Sequence, residues 1–223
     1  MKNIFFTAVA ILGTQFTFGQ IHKNVGDYNS LKVYDKIPVE LIQSNSNKVE
    51  ISGELEKDVE IVNKNGDLKI KMNPLNLLQG NKVKVKVYYK NLYDIQASQG
   101  SMIFSDDKVK SSTLKIASNE GSSIKLDLNT KKLDAKINSG SELILKGSAD
   151  VLTVNANSGG KFYGKTLKAE NATLITNAGG IIEANVSESV DAKTRVGGMI
   201  DIYGNPRIKN DKTIAGGTIS FKD

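Results

Sequence analysis

Seven glycines recur down the second half of the chain: Gly100, Gly121, Gly140, Gly159, Gly179, Gly197 and Gly216, at spacings of 21, 19, 19, 20, 18 and 19. A register this steady restricts the chain to a stacked repeat. Three positions after each glycine stand Ile103, Ile124, Leu143, Phe162, Ile182, Ile200 and Ile219, all apolar. Two further on come Ser105, Leu126, Leu145, Gly164, Ala184, Ile202 and Phe221. Alternation of this kind is the strand period of two. Seven positions before the glycines lie Tyr93, Leu114, Leu133, Leu152, Ala172 and Val190, and five before lie Ile95, Ile116, Ala135, Val154, Leu174 and Ala192. The seventh copy departs, with Lys209 and Asp211 in these columns, and is expected to fray or cap the end.

Each repeat therefore reads as strand, tight turn, strand and looser return. One unit has too little apolar surface to fold alone, and stacking fuses the inward columns into a shared core. The fold expected is all-β, a parallel β-helix (β-solenoid) with coils of about 19 residues. Its rise is that of ordinary strand spacing, roughly 4.8 Å per coil. General crossover chirality makes it right-handed.

The turns carry their own column: Ser98, Asn119, Asn138, Asn157, Asn177, Arg195 and Ile214 stand two positions before the glycines. Asparagine tolerates left-handed turn geometry, and its amide bonds backbone groups. Stacked amides are read here as rungs of a structural ladder, with a polar ligand groove along this edge as the functional alternative. Residues 28–92 also alternate like strands but lack the glycine register, so they form degenerate coils or another β arrangement. "KNGD" at 64–67 reads as a hairpin turn and makes part of this region antiparallel. "MNPLNLLQG" at 72–80 interrupts the strands, with Leu75, Leu77 and Leu78 expected to cover one end of the core. The division expected is a signal peptide over 1–19, an N-terminal β region over 20–92, and the repetitive solenoid over 93–223.

The signal-peptide reading rests on Lys2, the apolar run IFFTAVAIL and small residues at 17 and 19, with a cut before Gln20. The run is too short for an ordinary membrane span, and no transmembrane segment is expected in the mature chain. Loss of Lys2 lowers the net charge from +6 to +5. The lysines are spread along the chain and Arg195 and Arg207 are the only arginines, which argues against nucleic acid as a partner. Without cysteine there are no disulfides and no thiolate metal sites. No nucleotide-binding glycine motif opens a helix, so no cofactor or metal is expected.

Candidate site residues are few. Glu183 and Asp201 both lie four positions after their glycine, on the outward face of adjacent coils, where stacking brings them into the range of a retaining glycosidase pair, about 5–5.5 Å. A solvated strand face is the alternative and the reading adopted. Tyr163 and Lys125 share that column. Arg195 replaces asparagine in the turn column, where it either contacts an acidic sugar or pairs with a neighbouring acid. Tyr88 and Tyr89, with Tyr93 beyond them in "YYKNLY", form an aromatic cluster that either suits a glycan or divides, as alternate residues of a strand do, between core and surface. His22 is the only histidine and sits where chains are usually mobile, so a histidine-centred triad is not expected.

These features together resemble the putative auto-transporter adhesin, head GIN domain family, a domain of unknown function in exported proteins of Bacteroidetes. The resemblance runs over about 28–222. It rests on "YNSLKVYDKIPVELIQ", "VEISG", "NGDLKIKM", "VKVKVYYKNLYDIQASQGSMI" and the "NSGS", "NSGG", "NAGG" and "VGG" turns, in that order. It implies a β-helical fold and placement in the periplasm, at the outer membrane or at the cell surface, and it carries over no catalytic residues. Three functional readings stand: a non-enzymatic adhesion or scaffold protein that binds glycans or envelope proteins; a carbohydrate-active enzyme using the outward carboxylate pair; and a structural protein that self-assembles, as a homo-oligomer, through its coil ends.

Overall fold

The computed structural model describes residues 21–223, so the signal-peptide expectation lies outside the described residues. The N-terminal strands are β1 (Ile21–Asn24), β2 (Ser30–Val33), β3 (Pro38–Gln43), β4 (Lys48–Gly53), β5 (Val59–Lys64), β6 (Asp67–Met72) and β7 (Val83–Tyr89). The repeats follow as β8 (Asp94–Ala97), β9 (Met102–Ser118), β10 (Ser123–Ile137), β11 (Glu142–Asn157), β12 (Lys161–Asn177), β13 (Ile181–Arg195), β14 (Gly198–Tyr203), β15 (Ile208–Ile214) and β16 (Gly217–Phe221). All sixteen belong to one hydrogen-bonded sheet wound into a β-solenoid. Two short 3-10 turns, Glu56–Asp58 and Gly80–Lys82, are the helical elements among the described residues.

Strands β9 to β13 each run along one face, bend at the return edge and continue along the other. Ile124 pairs with Ile103 on one side and Leu143 on the other, and Leu133 pairs likewise with Leu114 and Leu152. The inward columns are buried: Ile103, Ile124, Leu143, Phe162, Ile182 and Ile200 are all at 0% exposure. Where repeat length varies, the surplus is absorbed as a bulge at the return edge. The 21-residue spacing places Ser105, Asp106 and Asp107 opposite Leu126 alone, between the pairs Phe104↔Lys125 and Lys108↔Asp127. Bulging there leaves the inward columns in register on both sides.

At the other edge the chain reverses through two consecutive left-handed residues. Ser139 (φ 53°) and Gly140 (φ 68°) form one such turn, closed by Ser141 N–H donating to the Asn138 carbonyl at 3.3 Å. The same left-handed pair recurs at each turn glycine of the register from Gly100 to Gly216. Turns also bond to the next coil, as Gly121 N–H does to the Ser139 carbonyl at 3.1 Å.

The N-terminal strands combine both arrangements left open by the sequence. β6 and β7 make one coil and β2 and β3 another, and the second is inserted between the first and the β8–β9 coil: β2 pairs in parallel with both β6 and β8, and β3 with both β7 and β9. Antiparallel strands then close the end, with β5 on β6 through the 64–67 hairpin, β4 on β7 and β1 on β4. One core cluster runs from Tyr28 to Ile202 across both regions.

Two expectations fail here. Tyr93 is 45% exposed, because it precedes β8 and the neighbouring Leu92, at 1%, takes the interior position. Leu75, at 89%, Leu77 and Leu78 are exposed and cover no core, because residues 73–79 are the outer turn of the β6–β7 coil. At the opposite end Lys209 and Asp211 occupy inward columns of the last coil. Lys209 Nζ lies 4.9 Å from the Phe221 ring centroid and 3.0 Å from Asn205 Oδ1. An inward charge on an edge strand discourages another strand from pairing there.

Candidate binding surfaces

Register alone assembles a long outward row. Glu50, Lys86, Glu40, Phe104, Lys125, Ile144, Tyr163, Glu183, Asp201 and Ser220 follow one another on successive paired strands. Tyr163, Glu183 and Asp201 are direct neighbours in it, and Ile144 separates Lys125 from Tyr163. Glu183 and Asp201 project side by side from adjacent strands of one half-exposed face. Glycoside hydrolysis wants two carboxyl groups flanking the scissile bond. Asp201 is moreover held by Lys222 Nζ at 3.4 Å, as a counter-ion. Nothing in this arrangement supports the enzyme reading.

Phe104 belongs to this row and was not singled out from the sequence, because its column otherwise mixes charged, aliphatic and aromatic residues. It borders two hollows of about 440 and 520 Å³. Most charges around them are already paired: Lys86 with Glu40 at 3.4 Å, and Asp127 with Lys108 at 3.4 Å and Lys146 at 3.8 Å.

The tyrosine cluster divides. Tyr89 is 1% exposed and cannot face a ligand, a correction imposed by strand alternation: on β7 the inward residues are Val83, Val85, Val87 and Tyr89. Burial pushes its phenol up to about 12. Tyr88 points outward, donating to Glu50 Oε2 at 2.9 Å beneath Lys48 Nζ, which sits 4.0 Å from the ring centroid. Burial, and then that bond, raises the Tyr88 pKa. Lys48 also donates to Glu50 Oε1 at 2.8 Å, and this bond chiefly holds the Glu50 carboxyl below the usual range. His22 is part of β1, and its Nδ1 is 3.3 Å from Glu50 Oε1.

Tyr93 is the exposed member. Two concavities of about 500 and 450 Å³ meet at Tyr93 and at Asn91. Lys110, Asn129 and Lys131 line the first, and Asp27, Asn29 and Lys90 the second. These residues come from four separated stretches, 27–29, 90–93, 110 and 129–131, and no local spacing in the sequence joins them.

Along the turn edge the asparagine amides bond in series: Asn138 to Asn119 at 2.8 Å, Asn157 to Asn138 at 2.9 Å and Asn177 to Asn157 at 2.7 Å, with Asn119 reaching Ser98 Oγ at 3.4 Å. Each amide in the series spends one N–H on the rung of the preceding coil. Arg195 stands where the series stops. It is exposed and pairs with no acid among the described residues.

A family model described as "Putative auto-transporter adhesin, head GIN domain" matches residues 27–206. Three solved structures share the fold. One, from Bacteroides fragilis, is titled a putative adhesin: 19% identity, TM-score 0.82, covering 93% of this chain and 98% of that one. Another putative adhesin, from Parabacteroides merdae, is 17% identical with TM-score 0.73, covering 94% and 98%. A Parabacteroides distasonis protein titled a putative lipid binding protein is 15% identical with TM-score 0.68, covering 92% and 96%. At these identities the likeness is one of fold. No curated protein matches. No helix among the described residues is long and apolar enough to cross a membrane.

Proposed function

The chain belongs to the family described as putative auto-transporter adhesin, head GIN domain, and on that premise we propose that it is a non-enzymatic adhesion module working outside the cytoplasm, in the envelope or at the cell surface. It holds glycans or envelope proteins by many weak contacts along rigid strand faces. The observation that carries this reading is the unbroken outward row from Glu50 to Ser220. Ladder pairing fixes the spacing of side chains along it, so a repetitive ligand meets a repetitive surface at little ordering cost. Binding of the 20–223 chain to a glycan array and to isolated envelope fractions tests it. Saturable binding supports the reading, and a blank on both removes it.

A second reading has its own observation. Leu75, Leu77 and Leu78 project together from one exposed turn, as apolar residues of a protein contact do. Sedimentation of the wild type beside Leu75→Ser/Leu77→Ser decides it: a concentration-dependent complex abolished by the substitutions supports self-association through this turn, and identical monomers exclude it.

A further inference from the structure

We propose that Tyr93 is the stacking platform of a binding site for an anionic oligosaccharide, at the coil edge where the N-terminal strands meet the repeats. The proposal rests on the adhesion reading above and gives it a ligand class, at a place apart from the outward row.

The backbone that carries the platform is held in place although the ring is exposed. Tyr93 N–H donates to the Asn29 carbonyl at 2.9 Å, and the Tyr93 carbonyl accepts from Lys115 N–H at 2.8 Å. The backbone is thus clamped between the β2 side and β9, and Leu92 anchors it from inside at 1% exposure. An exposed aromatic face is what the C–H side of a pyranose packs on, and a backbone already held asks less ordering entropy of the protein.

The two concavities beside the ring differ in charge. In the first, the ammonium groups of Lys110 and Lys131 have no carboxylate within ion-pair distance among the described residues, and the amides of Asn91 and Asn129 have no hydrogen-bond partner there. In the second, Lys90 is neutralised by Asp27 at 3.1 Å, and Asn47 is spent on Asp27 and on Lys90 N–H. One side therefore offers two unpaired cations with free amides, and the other a neutral polar floor. An acidic sugar meets both: hydroxyls bond the amides, a carboxylate or sulfate meets the lysines, and the ring bridges them over Tyr93. Volumes of about 500 and 450 Å³ lie in the range of small-ligand sites. An acidic peptide fits less well. Among the described residues no exposed aliphatic side chain lines either concavity to anchor one, and the bordering strand β8 is paired on both sides, leaving no free edge to extend.

The test titrates the 20–223 chain with a galacturonate tetrasaccharide, with maltotetraose as its neutral counterpart and hexaglutamate as the peptide. The uronate is expected to bind in preference to maltotetraose, and more weakly as salt rises. Tyr93→Ala weakens it about five- to tenfold, the size of one stacking contact, while Tyr93→Phe retains it. Lys110→Gln/Lys131→Gln weakens it and flattens its salt dependence. Uronate binding of wild-type strength in Tyr93→Ala overturns the site and leaves the adhesion reading standing. Equal binding of hexaglutamate overturns the ligand class. Absence of binding to any glycan, here and on the array, overturns the proposal, and a further blank on isolated envelope fractions overturns the adhesion reading with it.

Discussion

Asn138 donates from Nδ2 to Oδ1 of Asn119 at 2.8 Å although nineteen residues separate them in sequence. The same side chain accepts from Asn157, so one residue joins three coils. Asn138→Asp keeps the shape but loses the donor. It is expected to cost about 1–3 kcal/mol, the range for breaking a partly buried hydrogen-bonded pair. Urea unfolding at pH 7 measures the loss. Part of it returns below the carboxyl pKa, where a protonated aspartate donates again.

Glycines of successive turns carry different constraints. At Gly140 a Cβ would meet open space, and the only penalty is the left-handed φ of 68°, so Gly140→Ala costs about 1–2 kcal/mol. At Gly160 a Cβ would run into the Ile137 carbonyl of the coil below. Gly160→Ala is therefore expected to cost more than Gly140→Ala, because backbone of two coils must separate. Thermal unfolding of the two variants side by side ranks them.

Two carboxyl groups give opposite pH signatures. The Lys48 bond lowers the Glu50 pKa, so its contribution is full above the unfolded glutamate value, about 4.3, and fades as pH falls through the lower folded value. Asp94 is raised, first by burial and then with help from Asp67, so its ionisation at neutral pH opposes folding. Glu50→Gln should lower stability at pH 7 and flatten the acid limb. Asp94→Asn should leave stability at pH 7 equal or higher. Unfolding free energies between pH 3 and pH 7 check both signs.

The last coil ends the stack by turning Lys209 and Asp211 into columns that earlier coils fill with Val190 and Ala192. Lys209→Leu/Asp211→Leu restores an apolar end beside the free edges of β15 and β16. The variant should associate end to end in sedimentation, under conditions where the wild type does not.

Much of the fold was legible because a solenoid repeats its constraints. Each inward column places the same demand on residues about nineteen apart, and the variable spacings only moved bulges at the return edge. The N-terminal order was not legible. Insertion of residues 30–43 between the 67–89 and 94–105 coils is decided by pairing among distant segments, and no glycine register marks it. Surface geometry was legible only as far as register carries it. The adjacency of Tyr163, Glu183 and Asp201 follows from counting, whereas the neighbourhood of Tyr93 depends on a loop that places Leu92 inward and on side chains drawn from four separated stretches. Tyr89 leaves the expected binding cluster because strand alternation on β7 sends Tyr88 and Tyr89 to opposite faces.

The central claim is binding without chemistry. Its most direct measurement incubates the 20–223 chain with each glycan it retains, follows saturation by titration, and determines the mass of the glycan recovered afterwards. The account predicts saturable binding and an intact ligand, unchanged in Glu183→Gln/Asp201→Asn. A shortened or otherwise altered glycan, produced by the wild type and lost in that double variant, would contradict it.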